Sequence, residues 1–504
     1  MNFNVACGSL TDIKSDAVIV NLFEGVKTPG GGTGAVDKAL DGAISDLIRD
    51  EDFEGHLGDT LVLRTLGRIP AKTVIVVGLG KKSDFDMLKL MRASARAARK
   101  CREIRAKTVS SILHGAGIGG FQAKDCARST ILGAMLGSYE YTSLKTENVK
   151  GNTIERFDIV EMSADKLSDI RAGIDKAKIV GDAIIFARDL VNAPSNIVTP
   201  SYLAEIAEQI ADESGLECNI LDRAEIEAAG MGLLAAVARG SEVEPRFIEL
   251  KYTSTNAKKT VAIVGKGITF DTGGYNLKGG EHMYGMKDDM SGAAAVLAAM
   301  RAVGREKPDV NVVGVIPATE NMIGGRAIHP GDVFKSYSGK SVEVNNTDAE
   351  GRLILADAVA YAKSLGVDEI VDAATLTGGC GVALGRELSG IFGTNDELVA
   401  RLMRAGKSCG EGMWRLPLYD SYEEFLKSDV ADLKNSGPRE GSPINGALFI
   451  KSFVGDTAWA HIDLSSAMAD KDVDLSKKGG TGAATGTLVE YLLGCYCLDT
   501  HPGD

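Results

Sequence analysis

No run of 18 or more apolar residues occurs in the 504-residue chain, so no membrane-spanning helix is expected. The opening stretch MNFNVACGSL lacks both the basic and the apolar segment of a secretory leader. Positive charge is short. Against 69 Asp and Glu there are 56 Lys and Arg, and the net charge of −13 speaks against a general binder of nucleic acid or anionic membrane. Cysteines are few and scattered: Cys7, Cys101, Cys126, Cys218, Cys380, Cys409, Cys495 and Cys497. The only close pair, Cys495 and Cys497, has neither redox nor zinc-ligand spacing, and a reduced, cytoplasmic protein is the simplest expectation.

Side chains for familiar hydrolytic chemistry are also missing. The six histidines are His56, His114, His282, His329, His461 and His501, and none belongs to an H-E-x-x-H pair. His282 is the one nearest the chemistry-bearing stretches and reads as a loop residue. Asp271-Thr272-Gly273 has the letters of an aspartic protease, but that chemistry needs a second such carboxylate on an all-β scaffold. No serine or cysteine is expected to act as a nucleophile with a base partner. A water activated by metal is what remains.

What is present fits a globular α/β protein of two domains, with 44% hydrophobic and 25% charged residues. Residues 1–166 alternate apolar strands (DAVIVNLF, DTLVLRTL, TVIVVGLG, TVSSILHG) with helical stretches and predict a three-layer α/β domain. Its glycine-rich PGGGTG, residues 29–34, reads as a flexible loop rather than a phosphate cradle. Apolar residues at helical spacing over 163–190 predict a long helix, with a linker at 167–187 and a second domain at 188–504. Thr199 and Pro200 should open a helix as N-cap and first helical residue. Strands then recur at ECNIL, FIELKY, TVAIVG, NVVGVI, SVEVNN and EIVDAATL, which predicts a mixed, mostly parallel sheet with helices on both faces.

Two stretches concentrate ionisable residues where parallel strands end and ligands bind in α/β sheets. Residues 261–295 contain Lys266, Asp271, Lys278 and Asp289; residues 344–356 contain Asp348, Glu350 and Arg352. Taken singly, each could be a loop or cap residue, Asp289 most readily as an N-cap. Together, four carboxylates near one crevice need neutralising, and two divalent cations would do it. A lysine amine made neutral by burial and cations would add a nitrogen donor, which admits Zn²⁺ beside Mg²⁺ or Mn²⁺.

The strings GKGITFDTGGYNLK, MKDDMSGAA and NTDAEGRL resemble the paired signatures of the leucine (cytosol) aminopeptidases. RDLVNAPSN, DAATLTGG, WRLPL, DLKNSGPREG and WAHIDL extend the resemblance through the C-terminal three-fifths of the chain. It implies an N-terminal macro-like domain, a catalytic α/β domain, and release of leucine-like N-terminal residues from peptides with a free amine. It further implies two divalent metals per chain, Mn²⁺ or Zn²⁺ with Mg²⁺ or Co²⁺ as alternatives. Lys266, Asp271, Asp289 and Glu350 match the tighter metal site; Asp271, Asp348 and Glu350 match the more exchangeable one. Lys278 matches an oxyanion stabiliser and Arg352 the holder of a bicarbonate that serves as general base. Met286, Asn346, Thr375, Leu376 and Gly378 match positions around the substrate, with Met286 toward an apolar side-chain pocket. A homohexamer is implied as well. Gly279 after Lys278, the EHMYG stretch and SPINGALFI at 442–450 depart from common family forms, which bears on side-chain preference and loop shape. Two alternatives are a narrower dipeptidase, for instance on Cys-Gly, and a DNA-associated architectural role for the N-terminal domain.

Overall fold

The computed structural model describes residues 1–50, 52–116, 120–147 and 153–494. Cys495, Cys497 and His501 lie outside the described residues. The chain divides into two compact units. The first comprises Met1–Asp182 with the short segments Ser408–Gly410 and Lys471–Lys478; the second holds the rest. A 26-residue helix, Leu167–Asn192, contains the division. No helix among the described residues is long and apolar enough to cross a membrane.

In the first unit, six strands form one sheet: β1 (Asn2–Cys7), β2 (Ala17–Leu22), β3 (Thr60–Arg64), β4 (Thr73–Gly78), β5 (Thr108–Ile112) and β6 (Arg156–Glu161). Their order is β1-β6-β5-β2-β4-β3, parallel except for β3 against β4. The near-continuous apolar runs of β2 and β4 suit strands covered on both faces. PGGGTG is a loop only at Pro29 and Gly30. Gly31 to Gly34 form the first turn of the Gly31–Ala39 helix. A Cβ on Gly34 would come within 2.6 Å of the Pro29 carbonyl oxygen, and one on Gly32 within 2.8 Å of Ile112. Glycine serves close packing at these two positions, which its weak helix propensity conceals from sequence reading.

In the second unit the strands are β7 (Glu217–Leu221), β8 (Arg246–Tyr252), β9 (Thr260–Gly265), β10 (Gly267–Asp271), β11 (Asn311–Asn321), β12 (Asp332–Lys335), β13 (Ser341–Val344), β14 (Glu369–Ala374), β15 (Leu388–Gly393), β16 (Gly412–Arg415), β17 (Leu433–Lys434), β18 (Ala458–Asp463) and the short pair β19 (Met468–Ala469) and β20 (Gly479–Gly480). The large sheet runs β16-β15-β18-β14-β9-β11-β8-β7, and β10 pairs with β11. Its centre, β18-β14-β9-β11, is parallel, while β15, β8 and β7 pair antiparallel with their inner neighbours. Thr199 caps the Pro200–Ser214 helix by accepting from the Tyr202 amide, with Pro200 at the first position. One expectation changes. The strand before NTDAEGRL, β13, is not in the large sheet; it belongs to a three-stranded sheet, β12-β13-β17. Its SVEV pattern specifies a strand but carries no information on which sheet it joins.

Two alanine-rich helices sandwich the parallel centre. Ser291–Glu306 is buried along almost all of its length, and Glu350–Ser364 buries Leu353, Ile354, Leu355, Ala358 and Val359 in the main core. The first helix begins directly on the strands. A Cβ on Gly292 would lie 2.0 Å from the Ala373 carbonyl oxygen, and one on Gly265 would lie 2.4 Å from that of Gly292. Only glycine allows this approach, and it brings the residues before the helix to the carboxyl ends of β9 and β14.

The far end of β14 is anchored by charge. Glu369 accepts from Lys259 Nζ at 2.7 Å and also from Arg401 and Tyr491. Burial alone would raise its carboxyl, but hydrogen bonds from Arg401, Lys259 and Tyr491 pull it from the ordinary 4.5 down to about 2. A depressed carboxyl stabilises the fold above its unfolded value, and that stabilisation is lost as pH falls through the folded value. We therefore expect Glu369→Gln to cost about 2 kcal/mol at neutral pH. In thermal melts at a series of pH values, the gap to wild type should close between pH 4.5 and about 2.

Candidate active site

Five strand ends converge on one place. Lys266 follows β9, Asp271 closes β10, Asn321 closes β11, Thr375 follows β14 and Asp463 closes β18. The turn after β13 and the first turn of the Glu350–Ser364 helix add Asp348, Glu350 and Arg352. Lys266 Nζ lies 2.8 Å from Asp289 Oδ2 and 2.8 Å from Glu350 Oε1, and donates to the Thr375 carbonyl at 3.1 Å. Lys278 Nζ lies 2.8 Å from Asp271 Oδ2 and 2.6 Å from Asp348 Oδ1. Carboxylate oxygens of Asp271, Asp348 and Glu350 lie within 4.8 Å of one another. All seven ionisable residues expected from the two stretches are thus in one neighbourhood, with Arg352 two positions beyond Glu350 on the same helix.

The substrate-side expectations are placed less directly. Thr375 Oγ1 donates to Asp289 Oδ1 at 2.7 Å, and the Leu376 amide donates to Asp463. Gly378 opens the Gly378–Leu384 helix, exposed, with open space where a Cβ would stand. Asn346 Oδ1 accepts from the Asp348 amide at 3.0 Å. Met286 is half-buried in the turn Met286–Asp288 that leads into Asp289.

Four carboxylates against two lysines leave the cluster with excess negative charge in a place where Lys266, Asp271, Asp289 and Glu350 are almost fully buried. Each group responds. Burial, and for Asp289 and Glu350 also the neighbouring carboxylates, pushes the carboxyls of Asp289, Glu350 and Asp348 up. Burial pushes the ammoniums of Lys266 and Lys278 down, but the surrounding carboxylates outweigh it and raise both. Glu350 Oε2 is buried without a hydrogen-bond partner. An acceptor so placed, inside a cluster short of positive charge, fits divalent cations. Asp271, Asp289, Asp348 and Glu350 are the carboxylates able to hold them, and Lys266 would join as an amine once bound cations displaced its proton, a donor set compatible with Mn²⁺ and Zn²⁺. Asp271 has only Oδ2 to offer, because Oδ1 accepts from the Gly273 amide and from Asn321 Nδ2, each at 2.8 Å.

Arg352 is buried, and burial brings its guanidinium from the ordinary value down to about 10, against the opposing pull of Glu350 and Asp463. Its Nη1 donates to the Asn435 carbonyl at 2.9 Å, while Nε is buried with no partner. The SPINGALFI segment, which departs from the common family form, reaches this residue. A Cβ on Gly446 would stand 3.3 Å from Arg352 Nη2.

Several readings resolve. Asp289 is no N-cap: the Ser291–Glu306 helix has Met290 at that position, without a side-chain cap. His282 is exposed. The letters of a serine-nucleophile motif, G-x-S-x-G, occur as Gly406-Lys407-Ser408-Cys409-Gly410, although no serine is expected to act as a nucleophile. They end the Asp396–Cys409 helix, whereas a nucleophile elbow joins a strand to a following helix, so the geometry for that chemistry is absent.

Residues that sequence reading passed over hold the site in shape. Asn321 donates to Asp271 and, at 3.1 Å, to the Thr347 carbonyl, tying the two stretches together. Thr347 Oγ1 donates to the Gly273 carbonyl at 2.6 Å. Asn435 donates to the carbonyls of Asn346 and Ala349 at 2.7 and 3.2 Å. Buried asparagines at strand ends were the available signal, and their partners are remote in sequence.

Comparison with known proteins follows the same lines. The model of the cytosol aminopeptidase family, catalytic domain, matches residues 185–489, and that of the family's N-terminal domain matches residues 19–148. A probable cytosol aminopeptidase of Cyanothece sp. is 40% identical over 98% of this chain and 100% of its own length. Another, of Thermosynechococcus vestitus, is 42% identical over 96% of this chain and 97% of its own. Among solved structures, a tomato leucine aminopeptidase variant superposes with a TM-score of 0.88 at 36% identity, covering 98% of this chain and 96% of that one. The bottromycin maturation enzyme BotP in complex with Mn gives a TM-score of 0.84 at 33% identity, covering 95% and 99%.

The glycine of NTDAEGRL has a testable reason. A Cβ on Gly351 would meet Lys266 Cε and Nζ at 2.6 Å, so the flexible ammonium end would have to leave Asp289 and Glu350. Gly351→Ala should therefore keep the fold and weaken cation binding by about 10- to 100-fold. Calorimetric titration of the metal-free variant with Mn²⁺ checks this, and unchanged affinity would rule out the steric account.

Proposed function

We infer how this site works from one premise: the chain belongs to the cytosol aminopeptidase family and is a metal-dependent aminopeptidase, a hydrolase acting at peptide N-termini. The observation that carries the reading is the buried carboxylate cluster with too few lysines to neutralise it. Lys266, Asp271, Asp289 and Glu350 hold one divalent cation, and Asp271, Asp348 and Glu350 a second, with Mn²⁺ or Zn²⁺ the preferred ions. Such a pair supplies Lewis acidity and lowers the pKa of water.

The remaining roles fall to side chains not occupied as ligands. Lys278, partly open to solvent at the cluster's edge, donates to the oxygen that gains charge as the scissile carbonyl is attacked. Arg352, with its unpartnered Nε, holds a bicarbonate that would supply a general base. Thr375, Leu376 and Gly378 line the peptide on one side and Asn346 on another, while Met286 faces the side chain of the residue removed, leucine-like by preference. A cytoplasmic location and a hexameric assembly complete the proposal, carried by the family resemblance.

The free N-terminal amine that the family resemblance implies for the substrate has a direct consequence. Leucyl peptides should be cleaved and their N-acetylated forms should show no measurable turnover. Efficient hydrolysis of the blocked peptide would point to endopeptidase or esterase action.

Arg352 and Lys278 separate by their response to bicarbonate. Both Arg352→Ala and Lys278→Ala should retain metal, the former losing about 10²- to 10⁴-fold in kcat and the latter about 10²- to 10³-fold. In bicarbonate-depleted buffer, added bicarbonate should stimulate Lys278→Ala but leave Arg352→Ala unchanged. Stimulation of Arg352→Ala equal to wild type would remove the assigned role.

A further inference from the structure

Asp463 ends β18 beside Ala374, its register partner at the end of β14. Its carboxylate is buried and points at the turn that follows β14. Oδ1 accepts from the amides of Leu376 and Thr377, each at 3.2 Å, and Oδ2 accepts from Thr377 Oγ1 at 2.6 Å. The same turn is tied on its other side to the cluster, where Thr375 gives its carbonyl to Lys266 and its hydroxyl to Asp289. Thr377 then caps the next helix by accepting from the Cys380 amide at 3.3 Å. Behind Asp463, one strand pair deeper, Asp372 joins His461 Nδ1 at 2.6 Å and accepts from Trp459 Nε1 at 2.7 Å, which keeps β14 and β18 in register.

We propose that Asp463 is a positioning residue for the peptide substrate: by binding two successive amides and a hydroxyl it fixes the Thr375–Gly378 turn in the shape that receives the substrate. This rests on the reading above that the turn lines the peptide. Two amides turned inward to one carboxylate oxygen leave the backbone carbonyls of the turn directed elsewhere, and a strand end without that anchor would hold the turn only at Thr375. Among the described residues, the Asp463 carboxylate makes no hydrogen bond or ion pair to the lysines or carboxylates of the cluster. Its loss should consequently act on substrate binding and spare metal.

The test compares steady-state kinetics on a leucyl peptide, Mn²⁺ content and thermal melts for four variants. Asp463→Ala should raise KM by about 10- to 100-fold, with a smaller fall in kcat and unchanged metal content. Asp463→Asn keeps the acceptor for both amides and should restore KM to within about threefold of wild type. Thr377→Val, which removes the hydroxyl bond to Asp463 together with the cap on the Cys380 amide, should raise KM by an intermediate amount, and it serves if Asp463→Ala does not fold. Gly378→Ala adds a methyl group where the folded chain has open space, so it tests the turn itself. If Gly378→Ala raises KM but Asp463→Ala and Thr377→Val do not, the positioning role is wrong while the turn still lines the substrate. If Gly378→Ala leaves KM unchanged, the reading of the turn falls. If Asp463→Asn is as impaired as Asp463→Ala, or if either loses metal, Asp463 acts through its charge or on the metal cluster, and the proposal is overturned.

Discussion

Everything in the catalytic unit is arranged around negative charge that the protein cannot neutralise by itself. Asp271, Asp289, Asp348 and Glu350 face Lys266 and Lys278, and most of them are shut away from water. Coulomb repulsion among buried carboxylates is severe, and a chain that keeps such a cluster must meet it with cations, protons or both. Burial, with the neighbouring carboxylates adding to it, raises the carboxyls of Asp289 and Glu350, and the same carboxylates raise the two ammoniums against burial. Cation affinity and reactivity therefore share a cause, which is why a metal-dependent hydrolase can be built without any side-chain nucleophile.

Holding that charge requires rigid backbone close by. Gly265 and Gly292 let the Ser291–Glu306 helix start against β9 and β14, and Gly351 leaves room for the Lys266 ammonium. Around them, Asn321, Thr347, Asn435 and Asp463 turn their polar groups onto the backbone of the loops that carry the ligands. These contacts take up the hydrogen-bonding capacity of buried loops, which would otherwise be costly to leave unmet. They also restrict how each ligand can point: Asp271 has one free oxygen because the other is already bound twice.

Much of this was legible in the amino-acid order, and the reason is local. Strand and helix follow from apolar spacing, so the β9, β11 and β14 segments and the Ser291–Glu306 and Glu350–Ser364 helices could be placed from pattern alone. Thr199-Pro200 marked a helix start because capping depends on neighbouring residues only. The ionisable residues of the site stand at strand exits in two short stretches, and NTDAEGRL is long enough to carry a family resemblance by itself. Where reading failed, packing decided. PGGGTG looked like a loop because glycine disfavours helix, yet close contacts at Gly32 and Gly34 outweigh that preference. GKSCG carries the letters of a nucleophile motif on the wrong element.

The sequence by itself determined the fold class, the strands β7, β8, β9, β11, β13 and β14 of the second unit, and the identities of the residues that crowd the site, because each of these depends on residue type and short-range spacing. Only the tertiary structure decided that β13 joins a small separate sheet, that Asn321 bridges the two charged stretches, and that Asp463 takes hold of the turn after β14. Those pairings join residues far apart in the chain: 26 positions for Asn321 and Thr347, 86 for Thr377 and Asp463, and 91 for Val342 and Leu433 across β13 and β17. No local pattern encodes such pairs; they exist because sheet order and helix packing carry distant segments to one edge, where a buried amide or carboxylate must find a partner.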